Sequence, residues 1–569
     1  MVRDGVKIDG VSAMASLGSD GRWPSNVARD LHVWLKNLYQ VGVEPYMISV
    51  PLQSPGDLVP EECLLPCLLP HEVIHALWQS GWQQFQISLL GPGGPSSLVE
   101  YWRWSRQQEW GVRHPALVGK SESQLSRMLP LMLHVDGAEV FRNNEFYIIC
   151  FRSPLAEGAP FDIIFPFMMV RHSHMNDPTV KKQVFARACA VLSWSFGVAE
   201  QGVGPSKGFH GEEFETASLR HRLRGAQLAG GFTACYVGIK HDSKAKAEIH
   251  VERQWYSCTY ICHQCHAVQG FKNAPKPLFF ADFGKDTIGR ATAIDNDTYL
   301  RIAPVAERSS LFQIRGHRTE LAYWDWLHVC PLGILRDHCA THIYIWLVEH
   351  LIDHAILDFQ LALRALWASL RGFCKVHRLR TFPGGFTMAS IGSPSSVQYP
   401  ELSSTFKASA VKTITTFVAD VSYRVEKSDT LGKVRCANTW AIAELQHVLD
   451  AAGPRLHDEE LHRCLQAAHM YLMTWQFLAN TAMSENKTLF KCRPKHHFFC
   501  HIIERIQLDR QNPCRQLQCA GEETFMGVLK RIGLQTHGST AYLRTLQRYL
   551  LYVAVRWEQR RRSGCWFLK

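Results

Sequence analysis

The chain has 569 residues, 46% of them apolar and 20% charged, with a formal net charge of +11. That balance excludes a disordered or fibrous protein and leaves room for about three or four globular domains. MVRDGVKIDG at the N-terminus lacks the apolar stretch of a signal peptide and no run of 18 apolar residues follows it, so an intracellular protein without a membrane span is expected.

Residues 1–125 are rich in Trp, Pro and Gly and are broken by GPGGPSS at 91–97. Within them LLPHEVIHALWQSGWQQF predicts a helix whose Val73, Leu77 and Trp78 fall at helical spacing and face a core. From 131 to 170 the period changes to that of strands, at 131–141, at 145–152 and in FDIIFPFMMV. Two turns compete between the first two. Asp136–Gly137 is a strong short hairpin signal, yet Arg142, Asn143 and Asn144 also suit a turn, because consecutive asparagines tolerate positive φ. If the asparagines turn, Asp136 lies inside a strand and shares a face with Met132, His134, Ala138 and Val140. Charges are rarely buried without partners, so such a carboxylate reads as a site. A helix at about 178–199 and a strand in GGFTACYVGIK, at 230–240, complete an α/β order.

Beyond residue 336 the pattern is mainly helical. THIYIWLVEHLIDHAILDFQLALRALWASL is apolar around much of its circumference, interrupted by His350, Asp353, His354 and Asp358, and reads as a buried helix. A Gly/Pro/Ser-rich break covers 383–404. ANTWAIAELQHVLDAA and LHRCLQAAHMYLMTWQFLANTAM are further helices, and the chain ends in the basic RWEQRRRSGCWFLK.

The positive excess fits a polyanionic partner without requiring one. Eighteen cysteines are dispersed along the chain, as expected of small core residues in a reducing compartment. The exception is WYSCTYICHQCHAV, where Cys258, Cys262 and Cys265 are spaced C-x3-C-x2-C. Two thiolates separated by two residues can face one tetrahedral zinc ion, so Cys262 and Cys265 are the firmest ligands, and Cys258, His263, His266 and His328 compete for the remaining places. A redox CxxC is the rival, but the polar, His-rich flanks do not resemble such a motif.

Three further groups offer acid chemistry. Asp242 directly follows the strand at 230–240, among Lys240, Lys244 and Lys246, and strand ends of α/β sheets commonly present functional side chains; a solvated loop carboxylate is the plain alternative. Asp325 and His328 in WDWLHVCPLGI, three residues apart, share a helix face and could bind metal, orient one another or cap the helix. KCRPKHHFFCHIIERIQLDRQNPCRQLQCAGEETFMGVLKRIGL supplies Lys495, His496, His497 and His501, then Glu522 and Glu523 opening a helix whose apolar side holds Phe525, Val528, Leu529 and Ile532. Carboxylates there also complement the helix dipole.

Taken in order, HVDGAEV, KHDSKAKAEIH before CHQCHA, DWLHVCPLGI, and GEETFMG after RPKHHFFCH make the chain resemble DDE-type DNA transposases of the CACTA, Plavaka and Kyakuja–Dileera–Zisupton group, over residues 126–540, about three-quarters of the length. The resemblance implies an RNase H-like mixed sheet with a zinc-knuckle element and a large helical insertion. Residues 126–255 would be the first part of that core, 256–335 the knuckle and D-x-x-H motif, 336–490 the insertion, and 491–569 the last part with the third acid and basic tail, with 1–125 of unclear role. It implies DNA as partner, a nuclear location, catalytic Mg2+ or Mn2+ and structural zinc. Asp136, Asp242 and Glu523 would be the metal-holding acids, with Asp325 and His328 as the alternative acid and its neighbour, and Lys495 and His496 would meet phosphates. A homo-oligomer fits this class and a membrane does not. No obvious N-terminal DNA-reading zinc finger precedes the core, so a catalytically inactive nucleic-acid-binding or scaffold protein on the same fold is the alternative.

Overall fold

The computed structural model describes residues 16–20, 22–23, 26–38, 42–141, 144–242, 261–268, 280–283, 292–305, 308–392 and 398–563. The first strands are β1 (Tyr46–Leu52) and β2 (Glu61–Cys67), an antiparallel hairpin in register from Leu52↔Glu61 to Tyr46↔Cys67. Pro51 and Pro66 hide both from a pattern reading, because proline withholds a ladder N–H. After α1 (Pro70–Gln79) and α2 (Pro95–Ser105) come β3 (Met128–Phe141), β4 (Asn144–Arg152) and β5 (Phe165–Arg171). The turn expected at Arg142 and Asn143 lies outside the described residues. Its flanking strands settle the question of Asp136, which pairs with Ile148 inside the β3–β4 ladder while Gly137 pairs with Tyr147.

Asp177 opens α3 (Pro178–Gln201) by accepting the N–H groups of Thr179 and Val180, with Pro178 at the first position and Gly202 in the left-handed conformation at the end. The helix leads towards β6 (Thr233–His241). Then follow β7 (Ala322–Trp324), α4 (Trp326–Val329), α5 (Leu335–Val348), α6 (Phe359–Val376), α7 (Ala408–Val425), α8 (Thr430–Ala451), α9 (Asp458–Ser484), α10 (Pro494–Asp509), α11 (Ala520–Gly533) and α12 (Ala541–Ser563). The strands form one seven-stranded mixed sheet in the order β1-β2-β5-β4-β3-β6-β7.

The single helix expected over residues 341–370 is two. Chain direction changes after Val348, where His350 takes a φ of 52°, and Asp358 starts α6 anew by accepting the N–H of Leu361. The polar residues that interrupt the apolar run are therefore the connection and cap, not the wet face of one helix.

The chain divides into two compact units. The first comprises Met1–Ile239, Ser309–Leu321 and Gly521–Lys569. Its core includes Trp102, Phe151, Phe167 and Tyr236, and its excursion at 309–321 is tied back by Arg315 to Glu200 (2.9 Å) and by His317 to the Tyr236 hydroxyl (2.8 Å). Asp162, fully buried, holds Arg556 (2.6 Å) and Arg560 (2.5 Å) of α12. Two arginines of the basic C-terminus are thus structural, and Arg561 and Arg562 pair with Glu558.

The second unit comprises Lys240–Arg308 and Ala322–Ala520. Helices α5 to α10 pack around Trp346, Tyr471, Trp475 and Phe499. Arg435, almost wholly buried, bridges Glu349 (2.7 Å) and Glu426 (2.8 Å). Among the described residues no helix is long and apolar enough to cross a membrane.

Candidate functional site

Within the second unit the short loop around Cys262 and Cys265 meets α10. The loop closes through the Ile261 N–H to the Ala267 carbonyl (3.0 Å), and Gln264 fixes it to β7 by accepting from the Trp324 indole at 3.1 Å. Trp324 stacks on Phe498 of α10, ring centres 3.9 Å apart. On α10, His497 and His501 are one turn apart and so share a face. Cys262 Sγ lies 3.3 Å from His501 Nε2, Cys265 Sγ lies 3.2 Å from His497 Nε2, and the two Nε2 atoms are 3.1 Å apart. All four donor atoms fall within 4.8 Å of one another and all four residues are buried. The edges of a tetrahedral zinc site with Zn–S of about 2.3 Å and Zn–N of about 2.0 Å would be roughly 3.3 to 3.8 Å. The cluster could therefore hold a metal ion such as zinc with little movement.

Its surroundings suit that role. The Nδ1–H of His501 is 3.0 Å from the Glu504 carboxylate, which leaves Nε2 as the ligand atom, and the Gln264 N–H donates to Cys262 Sγ at 3.3 Å. Without metal, burial alone would raise the Cys262 thiol, but the hydrogen bond from Cys265 and the charge of His501 carry it well below its ordinary value. Burial opposes charge on His501 too, yet the Cys262 thiolate and Glu504 push it up to about 10. A bound cation would displace that proton.

Of the other expected ligands, His263, His266 and His328 are not among the four donors. Cys258 lies outside the described residues. His266 is exposed and stands apart from the four donors. His263 packs its ring 4.7 Å from Trp324. The residues that sequence reasoning did not assign to metal, His497 and His501, had one local signal, their H-x3-H spacing, and nothing in the sequence joins it to a CxxC some 230 positions away.

In the first unit Asp136 is half-buried on β3; one carboxylate oxygen accepts the Gly137 N–H at 2.7 Å, and the other lies 3.9 Å from Nε2 of buried His134. Glu522 and Glu523 open α11. Glu522 is fully buried with Arg152 at 3.5 Å, while Glu523 is only half-buried.

In the second unit Asp242 is half-buried just past the end of β6; its sequence neighbours Lys244 and Lys246 lie outside the described residues. Asp325 is buried and caps α4, accepting from the N–H groups of Leu327 and His328 (3.1 Å each). It also accepts from the Cys519 N–H at 2.9 Å and holds His328 Nδ1 at 2.5 Å. Both oxygens are thereby engaged in pinning the segment ahead of α11 to the β7–α4 corner.

Lys495 is half-buried near the start of α10. Burial lowers its pKa, as does the charge of Arg493, while Asp337 and Asp242 act the other way. Its neighbour His496 is a correction to the expected phosphate contact. It is fully buried between Trp475 (5.3 Å) and Phe283 (5.6 Å), and burial pushes it down to about 3, so it is a neutral core ring. No protein-family model matches the chain, and a search of curated proteins finds no similar sequence.

Proposed function

We propose that the protein is a DDE-type DNA transposase, or derives from one, with an RNase H-like core and a zinc-stabilised knuckle. One observation carries the reading. Counted from β3, the strand order β5-β4-β3-β6-β7 becomes 3-2-1-4-5, the order of an RNase H-like sheet, with α3 between the third and fourth strands. Asp136 sits on the central first strand and Asp242 directly after the fourth, beside which the first lies. Supporting it, Asp325 spends its oxygens on N–H groups and His328, which favours Asp242 over Asp325 as the second acid and gives Asp325 a positioning role ahead of Glu523.

Asp136, Asp242 and Glu523 each offer carboxylate oxygens, and such donors would suit Mg2+ or Mn2+. Such ions, when bound, supply activation of the attacking oxygen and stabilisation of the leaving one in phosphoryl transfer. The chain's own part would be to present the three carboxylates, Asp136 from its half-buried place on β3. Cys262, Cys265, His497 and His501 would hold zinc, whose role is structural because all four places go to protein atoms.

The test is nicking and strand transfer on DNA carrying the terminal sequences of an element beside the gene, with Mg2+ or Mn2+. Wild type should cleave, and Asp136→Asn should lose at least a hundredfold in rate while binding DNA normally, because carboxylates that hold metal are distinct from the cations that attract phosphate. Salt-dependent binding without any metal-dependent cleavage would leave the inactive binding protein as the function.

A further inference from the structure

We infer that the outer face of α6 is a docking surface for the phosphate backbone of duplex DNA. The inference deepens the proposed function and rests on its choice of DNA as partner, but its geometry is independent of the catalytic acids. Helix α6 buries Ala362, Leu363, Leu366, Leu370 and Cys374. Its opposite side exposes Arg364, Arg371 and Lys375. These lie at i, i+7 and i+11, within about 40° of one another around the helix and over roughly 16 Å of its length. Exposed Arg378 and Arg380 continue the row past the end of the helix.

A surface helix usually mixes both signs of charge, and its cations find carboxylates one turn away. Here the chain's 51 acidic residues are absent throughout, with no Asp or Glu between Asp358 and Glu401. None of the five cations has an ion pair among the described residues. The helix dipole accounts for Lys375 and Arg378, which lie at the C-terminal end, but its influence fades within a turn and leaves Arg364 and Arg371 unexplained.

A row of unpaired cations on a rigid, packed helix fits a regular polyanion. Roughly nine phosphates fall within 16 Å of duplex. An anionic bilayer fits less well, since membrane-surface helices offer an apolar face to the lipid, and that face of α6 is buried. Exposed Leu361 and Val376 near its ends make vesicles the necessary control.

The experiment measures binding of the full chain to a fluorescent 30-base-pair duplex by anisotropy from 50 to 300 mM salt. The variant Arg364→Gln/Arg371→Gln/Lys375→Gln/Arg378→Gln is compared with wild type and with an equal-charge control, Arg103→Gln/Lys207→Gln/Arg301→Gln/Lys487→Gln. Each lost phosphate contact should flatten the slope of log affinity against log salt by about 0.9, so the stripe variant, with four cations removed, should lose about 3.6 units and the control almost none. Arg364→Lys/Arg371→Lys/Arg378→Lys should keep the slope. An unchanged slope in the stripe variant, an equal loss in the control, or stripe-dependent binding only to phosphatidylserine vesicles would each overturn the inference while DNA binding and cleavage are judged separately. Wild type that binds no duplex at low salt would remove this inference and the proposed function together. A stripe-dependent slope without cleavage would uphold the surface and sink only the catalysis.

Discussion

Helices α5 and α10 each carry two histidines one turn apart, and their ring centres are separated almost equally, 4.7 Å for His338 and His342 and 4.6 Å for His497 and His501. Their chemistry is opposite. The α10 pair meets two sulfurs and the Glu504 carboxylate, and of these Cys262 and Glu504 favour charge on His501. The α5 pair meets Asn438, Tyr471 and Trp475; burial drives His338 well below its ordinary range and His342 to about 3. His342 donates to the Asn438 carbonyl oxygen, whose amide in turn donates to the Tyr471 carbonyl and the Thr474 hydroxyl. Spacing puts two imidazoles on one face, but it is what the face packs against that makes a metal site or a neutral core.

The largest effect should come from the thiolates. Wild-type protein should contain one zinc per chain by mass spectrometry, and Cys262→Ser/Cys265→Ser should contain none and lose on the order of 5–10 kcal/mol of stability in the second unit, given about 10–16 kcal/mol for structural zinc in small domains. His338→Gln/His342→Gln should keep its zinc. Zinc-free wild type, or zinc lost from the α5 variant, would break the contrast.

Next in size is acid sensitivity. His338, His342 and His496 are depressed by burial in the folded state, so the unfolded chain binds more protons below about pH 6.5 and stability falls as pH falls, by about 1.4 kcal/mol per unit for each ring. Going from pH 7.5 to 5.5 with zinc content held constant should cost the second unit about 4 kcal/mol through these three rings. His342→Leu/Asn438→Leu should remove about a third of that slope; an identical pH profile would show that His342 is not held neutral.

The smallest test separates the second shells. Glu504→Gln should weaken zinc about 10–100-fold in a competition assay, whereas Asn438→Ala should leave zinc affinity unchanged and cost about 1–3 kcal/mol by stranding the His342 donor. Equal effects on zinc would mean that the two pairs share one site.

The local parts of this arrangement were legible in sequence, and the distant ones were not. Asp136 inside a strand is one of two readings that local signals leave open, and strand pairing decides between them. The CxxC is visible because its signal is local. Its partners on α10 are not, since only packing of the loop against Trp324 and Phe498 brings them together. His496 misled because its sequence neighbours Arg493 and Lys495 are charged, while helical rotation sends it to the aromatic core. The long apolar run over α5 and α6 hid both the break at His350 and the charged outer face of α6, since averaging over a long window blurs two amphipathic helices into one apolar one.

The pairing of Asp162 with Arg556 and Arg560 spans as many as 398 residues, and it belongs to the unit whose chain is interrupted by the other. At about 5–20 residues per second, the arginines leave the ribosome roughly 20–80 s after their carboxylate. During that interval the strands β1 to β6 exist without the helix that neutralises a fully buried acid. The second unit, all of it made in the meantime, has time to form before the first can close, so a ribosome that stops just short of Arg556 releases a chain whose first unit lacks both counter-charges.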